Sequence, residues 1–164
     1  MFDFTGRKEI HAYSYLYEGI ADDALKQRAK GSLEYYINKA AFYKSGWGVL
    51  SFLGIVLPAA ATFFVSINLC LEAVSAITAV ATVVSSTLAL FKFADKKTSY
   101  RNCAENLKSE LSAYHSRSGV YRSEKGRDAV LAEHLERIIK EGYNRIEALE
   151  TEQSREQPWD EDTQ

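Results

Sequence analysis

Proline, cysteine and glycine are scarce, at 2, 2 and 9 of 164 residues. So few prolines and glycines exclude a collagen-like repeat, and two cysteines exclude a disulfide-stapled scaffold. Neither sign of charge predominates, because 20 Lys and Arg stand against 22 Asp and Glu. That balance excludes a uniformly basic nucleic-acid binder, and 46% apolar residues exclude a wholly disordered chain. The first 20 residues hold no basic region followed by an apolar run, so no cleaved signal peptide is expected. Catalytic patterns are missing too. There is no HExxH, no Gly-rich phosphate loop, no CxxC and no nucleophile elbow, and His11, His115 and His134 are isolated from one another. An enzyme is not expected, nor a cofactor or metal site.

The most informative scarcity is local. Between residues 45 and 91 the only charge is Glu72, and residues 45–71 carry none. At 1.5 Å per residue, 20 or so helical residues match a hydrocarbon core of about 30 Å. Residues 45–67 and 73–91 therefore read as two transmembrane helices joined by an outer turn at 68–72, a hairpin in which the first span is the targeting signal. The alternative is a pair of buried helices in a soluble bundle. Lys26, Arg28, Lys30, Lys39 and Lys44 precede the first span, and Lys92, Lys96, Lys97, Arg101 and Lys108 follow the second. Basic residues resist translocation, so both termini are expected in the cytoplasm. Lys39, Tyr43, Lys44, Trp47, Lys92, Lys96 and Lys97 are the expected interfacial anchors. On this topology Cys70 and Cys103 lie on opposite sides of the membrane and cannot pair.

In the second span small residues recur at Ser75, Ala79, Thr82, Ser86 and Ala89. Their spacing of 4, 3, 4, 3 makes a seam along which helices approach closely in lipid. Thr78 and Ser85 flank the same arc, and together these seven residues are candidates for helix packing, for lining a pore, or both. The opposite arc of Ile77, Val80, Val84, Leu88 and Phe91 is expected to face lipid. Pro58, in the first span, is a candidate kink because it lacks a backbone donor. Glu72 at the hairpin mouth is either a solvated turn residue or part of an acidic ring.

Outside the spans, residues 21–43 repeat Leu25, Ala29, Leu33, Tyr36, Ala40 and Tyr43 on one helical face. The second span is expected to continue to about Ser116 with Tyr100, Ala104, Leu107, Leu111 and Tyr114 inward, and Ser118 and Gly119 end it. A last helix is expected at about 125–152 with Leu131, Leu135, Ile138 and Ile139. Arg101, Glu105, Lys108 and Glu110 read as a solvated face with spaced ion pairs. These apolar faces need partners, and each other is the economical choice. The expected fold is thus all-α: a two-helix transmembrane hairpin whose long helices extend into a small cytoplasmic helical bundle. Residues 1–44 form an N-terminal cytoplasmic arm and helix, 92–152 the cytoplasmic helices and 153–164 an acidic disordered tail. The aromatic-rich first 20 residues fit a short strand, an arm on a neighbour or a lid on the bundle.

This plan, with a helix carrying Arg101, Ala104, Glu105, Leu107, Lys108, Glu110 and Tyr114, then Gly119 and Tyr121, resembles the SLATT superfamily. These are two-transmembrane effectors associated with SMODS nucleotidyltransferases and SLOG sensor domains in bacteria, and the likeness covers roughly residues 21–146. The resemblance implies a homo-oligomer that forms or gates a pore in the bacterial inner membrane during nucleotide-signalled antiviral defence. A nucleotide-sensing or nucleotide-producing partner would then be a separate protein. The rival expectation is a membrane-anchored scaffold that recruits a partner through its cytoplasmic bundle and conducts nothing. A small transporter subunit is a third. None of these binds nucleic acid.

Overall fold

The computed structural model describes residues 6–66, 71–124 and 126–155. Among them every regular element is a helix: α1 (Arg7–Ala12), α2 (Tyr15–Glu18), α3 (Asp23–Ser66), α4 (Leu71–Leu90), α5 (Phe93–His115), a 3-10 turn (Gly119–Arg122) and α6 (Arg127–Arg155). The two apolar runs lie in two helices, α3 and α4, long and apolar enough to cross a membrane. The turn expected at 68–72 falls largely on 67–70, outside the described residues, as do Cys70, Phe2, Phe4 and the tail beyond Arg155.

Local chemistry explains where α3 begins. The Asp22 carboxylate accepts the Ala24 and Leu25 amides at 2.8 and 3.3 Å, satisfying donors that an N-terminal turn leaves unpaired. The helix then runs 44 residues, roughly 66 Å at 1.5 Å per residue, without stopping at 45 where the charges end. Pro58 is accommodated inside it, and the Thr62 hydroxyl donates to the Pro58 carbonyl at 3.0 Å.

The expected continuation of the second span is interrupted. Lys92 adopts a left-handed conformation (φ 42°, ψ 43°) between α4 and α5. Ile77, Ala81, Val84 and Leu88 turn toward α3. Extended unbroken, their spacing of 4, 3, 4 would bring Asp95, Thr98 and Asn102 inward, and all three are exposed. The inward residues are instead Tyr100, Ala104, Leu107, Leu111 and Tyr114, two positions later. One left-handed residue thus resets the helical face so that α4 and α5 both pack along α3.

The core lies in the polar half. Leu33, Ile37, Leu107, Leu111, Leu131 and Leu135 are each at most 1% exposed and form one cluster with Tyr114 and Tyr121. Residues 6–20 act as a lid, with Leu16, Tyr17 and Ile20 on that cluster. In the apolar half the hairpin buries little: Ala61, Ala81 and Val84 are covered, while Phe52, Ile55, Phe63 and Val83 are 61–73% exposed.

Candidate functional site

Two regions carry the residues singled out by sequence, and they differ in character. The first is the outer surface of α4. Ser75, Thr78, Ala79, Thr82, Ser85, Ser86 and Ala89 are all exposed, so none of them seats α4 on α3. Helical geometry at 100° per residue divides α4 into three faces. Ile77, Ala81, Val84 and Leu88 meet α3; the small and hydroxyl residues form the second face; Val80, Val83 and Leu90, 41–65% exposed, form the third. The lipid-facing arc expected from sequence is therefore corrected: Ile77, Val84 and Leu88 turn toward α3, while Val80 and Phe91 stay outside. The physical reason is that branched side chains fill the hairpin contact, and Gly54 on α3 lets Leu88 come close. Thr78 and Thr82 donate their hydroxyls to the carbonyls of Val74 and Thr78 at 2.9 and 3.0 Å. Glu72 is exposed in the first turn of α4.

The second region is α5. Arg101 reaches Glu9 at 2.8 Å and Glu105 at 2.5 Å. Lys108 bonds Glu9 and, at 3.2 Å, Glu105, and its ammonium lies 4.3 Å from the Tyr13 ring centre. The spaced ion pairs form as expected and Arg101 and Glu105 are exposed, but Lys108 departs from the solvated face: it is only 5% exposed and holds the N-terminal lid down. Burial pushes the Glu9 carboxyl up, but the bonds from Lys108 and Arg101 outweigh it and hold it below the usual range.

One turn on, the Tyr121 hydroxyl donates to Glu110, and His134 Nδ1 lies 2.6 Å from the same carboxylate oxygen. Burial, then the Glu110 carboxylate, raises the Tyr121 phenol above its ordinary value. Tyr114 donates to Asp128 at 2.5 Å beneath the Arg127 guanidinium, and Leu107 is fully buried. The degenerate motif from Arg101 to Tyr121 is thus the polar frame that joins the lid, α5 and α6. Sequence reading missed its partners Glu9, Tyr13, Asp128 and His134. Lys108 and Glu9 stand 99 residues apart, and no local pattern signals such a pair.

The expected interfacial residues divide. Lys92 and Lys96 meet Glu152 and Glu150 of α6 at 3.5 and 3.4 Å, and Lys96 is 7% exposed. Tyr43 stacks on Tyr100, with centroids 5.3 Å apart. Lys97 lies 4.4 Å above the Trp47 ring, Lys39 reaches the Tyr35 ring, and Lys44 is exposed.

Residues 32–129 match the family described as "Protein of unknown function (DUF4231)". That stretch holds the apolar helices, the Lys92 break and the polar frame up to Asp128. No curated protein and no solved structure matches the chain.

Proposed function

The chain belongs to the DUF4231 family, and from that premise we propose that it is a membrane protein whose copies associate through the small-residue face of α4 around a water-filled path. The apolar half of α3 and α4 form the two-span hairpin, and the polar helices form the body beneath it. One observation carries the reading: all seven residues of the small-residue stripe, from Ser75 to Ala89, are exposed, while Ile77, Ala81, Val84 and Leu88 make the contact with α3. Small residues promote close helix contacts in lipid, where apolar surfaces give no drive for association. Hydroxyls on that face suit it equally to a wet lumen.

Membrane insertion has separate support. The most apolar windows of α3 and α4 are 0% and 11% buried, unlike the core helices of a soluble bundle. The basic residues flanking both spans stand at one end of the hairpin, which supports a cytoplasmic position for that end. The plan resembles that of SLATT effectors, and we assign the chain to nucleotide-signalled antiviral defence at the bacterial inner membrane, with the nucleotide sensor on a separate protein.

Ion flux from liposomes tests this. Thr82→Leu with Ser86→Leu is expected to abolish flux while leaving insertion intact. Unchanged conductance removes the lining role, and a wild-type chain that inserts without flux leaves the scaffold reading in its place.

A further inference from the structure

We propose that the groove between α1, α3 and α5, where the uncharged run begins, binds the phosphate of an anionic phospholipid headgroup; this rests on the membrane reading above. The groove has a volume of about 910 Å³, lined by Lys8, Glu9, Lys44, Trp47, Lys97 and Arg101. That volume lies within the range of ligand sites. It is open because the α3 residues along it, Ala40, Ala41 and Gly48, are small.

Its charge is uneven in an informative way. The basic collar around the hairpin base has two sides. On one, α6 neutralises Lys92 and Lys96 with Glu152 and Glu150. On the other, four cations face a single carboxylate, Glu9, which Arg101 and Lys108 already engage. Among the described residues Lys8 and Lys44 meet no carboxylate, and Lys97 rests on Trp47 rather than on an acid. The groove therefore presents cations whose counter-charge the described residues do not supply.

Position selects the source of that counter-charge. Trp47 is 40% exposed, two residues into the uncharged run. Indole favours the headgroup level of a bilayer, and lysines at that level attract anionic lipid. A headgroup phosphate between Lys44, Lys97 and Lys8 would leave its acyl chains beside the apolar helices. It would also touch α1, whose Glu9 is clamped to α5, so lipid occupancy and lid docking share the same strip of chain.

Native mass spectrometry of the full-length protein in detergent tests the assignment, with phosphatidylglycerol, phosphatidylcholine and inorganic phosphate as separate titrants. Phosphatidylglycerol is expected to be retained over phosphatidylcholine. Lys44→Gln with Lys97→Gln should weaken its binding about thirtyfold, the effect of removing two cations at a membrane surface. Lys44→Arg with Lys97→Arg keeps binding. Lys39→Gln, on the same collar but outside the groove, leaves it unchanged. An equal loss with Lys39→Gln, or none with the double glutamine variant, overturns the site. Inorganic phosphate that binds as tightly as phosphatidylglycerol overturns the lipid assignment. Flotation with phosphatidylcholine vesicles separates the two readings: a chain that does not float fails as a membrane protein, whereas one that floats without preferring phosphatidylglycerol fails only here.

Discussion

Single residues set how closely the helices approach. A Cβ at Gly142 would stand 2.5 Å from Cys103 Sγ and 3.1 Å from the Tyr36 hydroxyl, whereas one at Gly31 would meet nothing within 4 Å. Both glycines lie inside helices, where alanine alone is worth roughly 0.5–1 kcal/mol. Gly31→Ala should therefore stabilise by about that amount in thermal unfolding. Gly142→Ala should destabilise by about 1–2 kcal/mol, because overpacking outweighs propensity, and Cys103→Ala should restore part of the loss. The lid has its own residue-scale signature. Glu9 titrates below its ordinary value in the folded chain, so its pairing with Lys108 and Arg101 contributes above the ordinary carboxylate range and is lost as pH falls through the lowered value. Hydrogen exchange of α1 and α2 should accelerate at acid pH before the core amides do, and Glu9→Gln should bring that acceleration to neutral pH. None of this was legible in the sequence. Glycines carry no mark of what faces them, and Glu9 lies 92 residues from Arg101.

At the scale of elements, periodicity was the readable signal and continuity was not. The inward positions Leu25, Leu33, Tyr36, Ala40, Tyr100, Leu107, Leu111, Leu131 and Leu135 follow from apolar spacing, and all are buried. Spacing does not say whether one helix ends before the next begins. The charge boundary at 45 leaves α3 unbroken, while Lys92 breaks a stretch with no Gly or Pro. A left-handed lysine costs of order 1 kcal/mol and persists because α4 and α5 must both pack on α3. Lys92→Gly should relieve that cost and forfeit a surface ion pair of at most about 1 kcal/mol, leaving stability nearly unchanged. Lys92→Val, branched at a positive φ, should lower the melting temperature below both. Equal melting temperatures for the glycine and valine variants would show that the break carries no strain.

At the scale of the molecule, two surfaces of opposite character meet at one collar. Above it, α3 and α4 expose Phe52, Ile55, Phe63 and Val83; below it, a cluster of leucines and tyrosines is sealed by ion pairs to α1 and α6. The charge-free block made that division visible in the sequence. The three-way split of α4 was only half visible, because the small-residue stripe stands out while the branched residues opposite it do not declare whether they face lipid or α3. The proposed assembly makes the stripe a surface between copies and the valine face a surface toward lipid. Substituted-cysteine labelling tests this most directly, with Cys70 and Cys103 replaced by alanine, the protein in liposomes and a membrane-impermeant thiol reagent outside. The account predicts that Thr82→Cys and Ser86→Cys label and that labelling blocks ion flux, while Val83→Cys stays unlabelled. Protection of residues 82 and 86 to the same extent as residue 83 would contradict a water-filled path along this face.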